Sequence, residues 1–206
     1  MQADYAWRKL TRFRCDKKDN AMRRTVASVL TLASLSIAIC SLPASAAVTA
    51  SGPSGFSLKV EVPVAAPPEE AFARFLRIGQ WWNSEHSYSG DAATNMTLDA
   101  NPGGCFCEKL PNGGFVKHMD VVFSAPGKLL RLQGGLGPLQ DIGASGVMSF
   151  TFKADGSDGK ATKVTLTYNV SGFVPGKGLG ELAPAVEGVL SEQMARYKRF
   201  VEGAKP

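Results

Sequence analysis

A chain of 206 residues with 44% hydrophobic and 20% charged side chains carries a formal net charge of +5. That charge is lodged in residues 1–46, which hold eight Lys/Arg against three Asp/Glu, whereas the remaining 160 residues hold fifteen of each. The neutral remainder excludes the basic footprint of a nucleic-acid-binding domain, suffices for one core but not two, and with only Cys105 and Cys107 is no disulfide-built miniature.

In chain order, residues 22–46 come first as a readable unit, MRRTVASVLTLASLSIAICSLPASA. Arg23 and Arg24 form a positive n-region, Val26 to Ile39 an uncharged, largely apolar run, and Ala44-Ser45-Ala46 an A-x-A cleavage signal after the Leu42-Pro43 breaker. The run is short of the roughly 20 apolar residues that span a bilayer. The expectation is a signal peptide at 22–46, translation starting at Met22, and residues 1–21 as an overlong charged extension. Cleavage after Ala46 would deliver the protein to a bacterial periplasm or the medium, with no stable membrane anchor. An uncleaved short anchor and a lipid-modified Cys40 are the alternatives; the bulky Ile39 speaks against the second. Residues 47–55, small and polar, read as a flexible lead-in to a domain spanning 56–206.

Phe56 to Val62 alternates apolar and polar residues, the period of a strand. Pro67-Pro68-Glu69-Glu70 opens a helix, since Pro fits a first turn and carboxylates favour the positive helix end. Its stripe is Phe72, Phe75 and Leu76, and Gly79 closes it before Trp81-Trp82. Thr94–Asp99, Cys105–Leu110, Phe115–Phe123, Leu129–Leu132, Val147–Phe152 and Thr162–Val170 read as strands separated by turns rich in Gly, Pro and Asn. Gly134-Gly-Leu-Gly-Pro138 lacks the Lys-Ser/Thr of a phosphate loop and reads as a strand end. Leu182, Val186, Val189, Leu190, Met194, Tyr197 and Val201 recur at helical spacing, with Pro184 in the first turn and a Glu192–Arg196 pair on the flank.

This order predicts an α+β fold, a curved antiparallel sheet of six or seven strands gripping a long C-terminal helix. The stretches VEVPVAAPPEEAFARF, PGGCFCE, KHMDVVFSAPGKLLRLQGGLGPLQ, and LTYNVSGF leading to VLSEQMARYKRFV together resemble the START-like, or SRPBCC, helix-grip superfamily, including its polyketide cyclase/dehydrase-like and heat-shock-ATPase-activator-like branches. The resemblance covers residues 56–202. It implies a cavity between sheet and helix that carries lipids, sterols, polyketides or hormones, and in some members catalyses cyclisation or dehydration. The ATPase-activator role needs cytosol, which the leader opposes. In this fold the glycine-rich loop 172–180 can gate the cavity.

An Asn112–Gly113 turn centre sets Cys107 opposite His118, Cys105 opposite Asp120 and Glu108 opposite Lys117. Alternation then puts Cys105, Cys107, His118 and Asp120 on one face and a Glu108–Lys117 ion pair on the other. Four such side chains could hold Zn²⁺; they could equally be small core hydrophobes beside a hydrogen-bonded His–Asp pair. A Cys105–Cys107 disulfide is a third reading, at the upper edge of disulfide geometry, because i and i+2 Cα atoms of a straight strand lie about 6.6–6.8 Å apart. A Cys–His nucleophile and base is a fourth. Trp81, Trp82, His86 and Tyr88 either line a cavity mouth or cap the core.

The favoured expectation is an exported protein binding a small apolar molecule or lipid, with no cofactor and no nucleic-acid partner. Its cavity would be lined by Trp81, Trp82, His86, Tyr88, Cys105, Cys107, His118, Asp120 and Met194. The alternatives are a cyclase or dehydratase using His86, His118 or Asp120, and a metal or thiol site at Cys105, Cys107 and His118.

Overall fold

The computed structural model describes residues 45–174 and 178–206. The leader expectation therefore lies outside the described residues, apart from Ser45 and Ala46. Eight strands form one sheet: β1 (Ser45–Gly52), β2 (Gly55–Val64), β3 (Met96–Leu98), β4 (Cys105–Lys109), β5 (Phe115–Ala125), β6 (Leu129–Gly134), β7 (Ser145–Asp155) and β8 (Ala161–Ser171). Their order is β1-β2-β8-β7-β6-β5-β4-β3, and every neighbouring pair is antiparallel. Helices α1 (Pro68–Phe75) and α2 (Ala92–Asn95) lie in the connection from β2 to β3, and α3 (Ala183–Val201) follows β8 through a 3₁₀ turn at Leu179–Leu182. This is the expected helix-grip architecture with one strand more.

The extra strand is β1. The expected flexible lead-in at 47–55 is instead paired with β2 from Ser45↔Glu61 to Gly52↔Gly55, with a bulge between Val48 and Ala50. SAAVTASG has no alternation to announce a strand. Its pairing rests on backbone hydrogen bonds, which are indifferent to side-chain type.

Strand alternation fixes the inner face. Phe56, Leu58, Val60, Val62 and Val64 of β2 and Val164, Leu166, Tyr168 and Val170 of β8 are buried; Ser57, Lys59 and Glu61 face the other way. Each such side chain contributes roughly 1.5–3 kcal/mol on burial. Against this face α3 buries Leu190, Gln193, Met194, Tyr197 and Val201. Phe75 of α1 fills the join, its ring centroid 4.4 Å from Phe150, 5.1 Å from Trp81 and 5.2 Å from Tyr197.

Polar contacts at the ends hold α3 in place. The guanidinium of Arg74 donates to the carbonyl of Val201 at 2.7 Å and to Glu70 at 2.6 Å, satisfying one of the carbonyls that a helix C-terminus leaves open. Lys198 donates to the Pro63 carbonyl at 2.9 Å, and Tyr197 Oη donates to the Ala71 carbonyl at 2.7 Å. Burial pushes the Tyr197 phenol up, outweighing the opposing pull of Arg74. The expected Glu192–Arg196 partnership is redirected. Arg196 Nε donates to the Trp81 carbonyl at 2.9 Å, and Glu192 accepts from Asn83 at 2.6 Å and lies 3.2 Å from His86 Nε2. Both side chains fasten the 81–86 segment to the helix.

Candidate functional site

The grip of sheet on helix encloses an apolar void. Trp81, Trp82, Phe106, Met148, Leu190 and Met194 are among its walls, together with one polar side chain, Gln193. The room inside is about 10 Å³, enough for roughly one water. Trp81 and Trp82 both line the void and seal the core, at 1% and 7% exposure. Their indole N–H groups donate to the carbonyls of Phe75 and His86 at 3.1 and 2.9 Å. Gln193 Oε1 accepts from the Asn83 N–H at 2.8 Å, but its buried Nε2 has no partner among the described residues. Sequence reasoning passed over Gln193, although it stands three residues from Leu190 and four from Tyr197, inside the apolar stripe.

Next to the void, behind Phe106, is a buried acid–imidazole pair. His118 Nε2 lies 3.0 Å from Glu108 Oε2, and the two residues are 3% and 1% exposed. The His118 ring is stacked between Phe106 and Tyr88, with centroids at 4.8 and 5.9 Å. Glu108 also accepts the backbone N–H groups of Tyr88 and Ser89. Burial alone would raise this carboxyl. The hydrogen bonds from His118, Ser89 and Tyr88 outweigh it and hold Glu108 at about 2. An ionised carboxylate can only accept, so His118 Nε2 donates to Glu108. His118 Nδ1 is buried and without a partner among the described residues. Tyr88, 37% exposed, covers the pair from outside. Burial, then the charges of Asp141 and Glu108, push its phenol up to about 12.

Of the expected register only the Cys105–Asp120 pair stands; Cys107 opposite His118 and Glu108 opposite Lys117 are overturned. The hairpin turns through Leu110–Gly114, where the Leu110 N–H donates to the Gly114 carbonyl at 2.8 Å, with Asn112 and Gly113 at φ 64° and 80°. Lys109 pairs with Phe115, Glu108 with Val116 and Cys107 with Lys117; beyond a bulge at His118, Phe106 pairs with Met119 and Cys105 with Asp120. A bulge places two residues of one strand against one of the other and re-aims a side chain. His118 therefore joins Phe106, Glu108 and Met119 on the inner face. Cys105, Cys107 and Asp120 stay on the outer face and line no part of the void, so the expected shared face of four does not exist. Among the described residues no three His, Cys, Asp or Glu side chains are grouped to hold a metal. The expected Glu108–Lys117 ion pair is replaced too, by Lys117–Asp120 at 2.9 Å.

Two contacts maintain the bulge. Gly134 of β6 adopts φ 151°, and a Cβ there would lie 2.9 Å from the His118 carbonyl oxygen and 3.1 Å from Met119 Cα. Gln140 Nε2 donates to the Lys117 carbonyl at 2.8 Å.

On the outer face Cys105 and Cys107 are joined by a disulfide, with Cα atoms 5.5 Å apart, well within the usual range. The irregular strand between them brings the atoms closer than a straight one would. With both thiols engaged, the Cys–His nucleophile reading lapses as well, since His118 is on the opposite face. His86, Tyr88 and His118, expected in the cavity, are not among the walls of the void; His86 is partly buried, its Nε2 3.2 Å from Glu192 Oε2.

Residues 55–202 match the family described as polyketide cyclase/dehydrase and lipid transport. The chain belongs to this family. It thereby falls in the START-like superfamily, and the family's description implies binding of small apolar or lipid ligands. Among solved structures, the fold is similar to an uncharacterized protein from Rhizobium leguminosarum, at TM-score 0.52 and 17% identity over 79% of this chain and 99% of that one. It is also similar to CalU16 from Micromonospora echinospora, at TM-score 0.51 and 14% identity over 79% and 84% of the two chains. These likenesses speak for the fold alone. No curated protein matches this chain in sequence.

Proposed function

We propose that this family member is an exported binding protein for a small apolar molecule that carries an oxygen acceptor, held between the sheet and α3. The observation that carries this reading is the Gln193 amide, a buried donor with no partner among the described residues, in a wall that is otherwise apolar. A buried polar group without a partner costs roughly 1–3 kcal/mol, and a carbonyl, hydroxyl or carboxylate oxygen on the ligand would relieve it. Apolar walls with one or two placed polar groups are the usual make-up of a small-molecule site.

Such sites run to about 300–1,000 Å³, so the void as it stands is a closed state and a ligand enters by displacing side chains. Met148 and Met194 in the wall are unbranched and repack readily. Residues 81–86, fastened by Glu192, Gln193 and Arg196, form the stiffer wall.

The test is native mass spectrometry on protein expressed with its leader and purified from the periplasm. The reading expects a mature chain beginning at Ala47 and a co-purified molecule lost on Gln193→Leu substitution. A bare polypeptide mass, with no thermal shift from fatty acids or fused-ring aromatic ketones, would end the binding-protein reading. A chain retained in the cytosol would end the export half.

A second reading, an acid–base enzyme of the cyclase or dehydratase kind, draws on the Glu108–His118 pair. In the neutral form of His118 its buried, unpartnered Nδ1 would serve as a base oriented by the carboxylate. It would show as chemical conversion of the co-purified molecule on incubation, lost in His118→Gln. Asp120, on the outer face, has no part in it.

A further inference from the structure

We infer that Cys105 and Cys107 form a reversible dithiol–disulfide couple that exchanges with external thiols through Cys107. Both side chains stand on the outer face of β4 and are partly exposed. The bond links residues only two apart, and a cross-link over so short a loop constrains the unfolded chain little. The fold around it is held by other means. Thr97↔Cys107 and Leu98↔Phe106 pair on the β3 side, and Cys107↔Lys117 and Cys105↔Asp120 on the β5 side. A staple is not needed here, whereas exposed disulfides are the labile and reactive ones.

The two sulfurs have unlike neighbours. Lys117 is directly across from Cys107 and Asp120 directly across from Cys105, with opposing Cβ atoms of such pairs about 4.5–5.5 Å apart. Once the bond is reduced, the ammonium favours a thiolate at Cys107 and the carboxylate disfavours one at Cys105. The Lys117–Asp120 ion pair at 2.9 Å, with both side chains about half exposed (51% and 53%), moderates both effects without reversing them. Cys107 is then the nucleophile. Its thiolate attacks an external disulfide RS–SR, forming Cys107–S–S–R and releasing RS⁻. The Cys105 thiol, giving up its proton, attacks Cys107 Sγ and releases the second RS⁻. The sum is protein dithiol plus RS–SR giving protein disulfide plus two RSH, two electrons passing from protein to external disulfide. Reduction runs the same steps backwards. Phe106, between the cysteines, faces inward and walls the void, so the couple lies on the back of the ligand site.

The test uses the mature protein in native buffer with dithiothreitol and oxidised glutathione as probes. Dithiothreitol should open the bond with the near-ultraviolet circular dichroism retained, and oxidised glutathione should close it again. In Cys105→Ser, peptide mass mapping should find glutathione trapped on Cys107, forming faster than the adduct on Cys105 in Cys107→Ser. Lys117→Gln should slow alkylation of reduced Cys107 about three- to sixfold, the size of one exposed charge at this range. Reduction only in denaturant, or equal adduct rates on the two cysteines that ignore Lys117→Gln, would overturn the inference and leave the bond an inert cross-link.

Discussion

Acidification should destabilise this protein through one group above others, Glu108. In the folded chain its carboxylate is buried, accepts from His118 and from the backbone of Tyr88 and Ser89, and sits at about 2 against an ordinary 4.5. A depressed folded value means that the contribution is complete above about pH 4.5 and is lost as pH falls through about 2. At about 1.36 kcal/mol per unit the whole is worth roughly 3 kcal/mol, of which about 2 is gone by pH 3. That is a large part of the 5–15 kcal/mol on which a domain of this size typically stands. Urea unfolding of wild type and Glu108→Gln at pH 6 and pH 3 measures it. The amide keeps an acceptor but cannot titrate. Glu108→Gln should be less stable than wild type at pH 6 by about 1–3 kcal/mol, and its loss between pH 6 and pH 3 should be smaller than wild type's by about 2 kcal/mol. Stability curves of the two proteins that run parallel from pH 6 to pH 3 would refute the claim that this carboxylate is held ionised by its partners.

Gly134→Ala should cost at least about 1 kcal/mol, because it combines a positive φ with a Cβ driven onto the His118 carbonyl; faster amide hydrogen exchange around His118 would mark the bulge as the place that gives, and an unchanged melting temperature would contradict the account. Phe75→Ala removes the ring that joins α1, the sheet and α3, and should cost about 3–5 kcal/mol in a chemical denaturation curve. Gln193→Leu loses a bond to Asn83 but also an unpartnered buried N–H. The two changes oppose each other, so stability should stay within about 1 kcal/mol of wild type while ligand retention disappears.

The strands from Phe56 onward were legible because a half-buried strand writes its burial into a two-residue period, and the C-terminal helix because it writes a stripe at three and four. Trp81 and Trp82 were legible as large aromatics near the join. Their double role as wall and seal was not, since it depends on how their rings meet Phe75, Phe106 and Tyr197. Glu108 was misplaced for a traceable reason. Counting pairs from an Asn112–Gly113 centre puts Lys117 across from Glu108, but the turn closes at Leu110–Gly114 and sets Val116 there, and the bulge at His118 then leaves both His118 and Met119 on the inner face. A better signal was present in Phe106. A large aromatic belongs inward, and Glu108, two residues on, must follow it.

Taken alone, the sequence determined the kinds and order of β2 to β8, α1 and α3 and the antiparallel grip they make, because one-sided burial imposes a period that residue types can carry. Tertiary structure decided three things no period can encode. β1 joins the sheet through backbone hydrogen bonds that any side chain permits. His118 turns inward because Gly134 and Gln140, more than fifteen residues away in sequence, accept the bulge. The space under α3 shrinks to about 10 Å³ because its volume is a small difference between large packed volumes, set only when every side chain around it is in place.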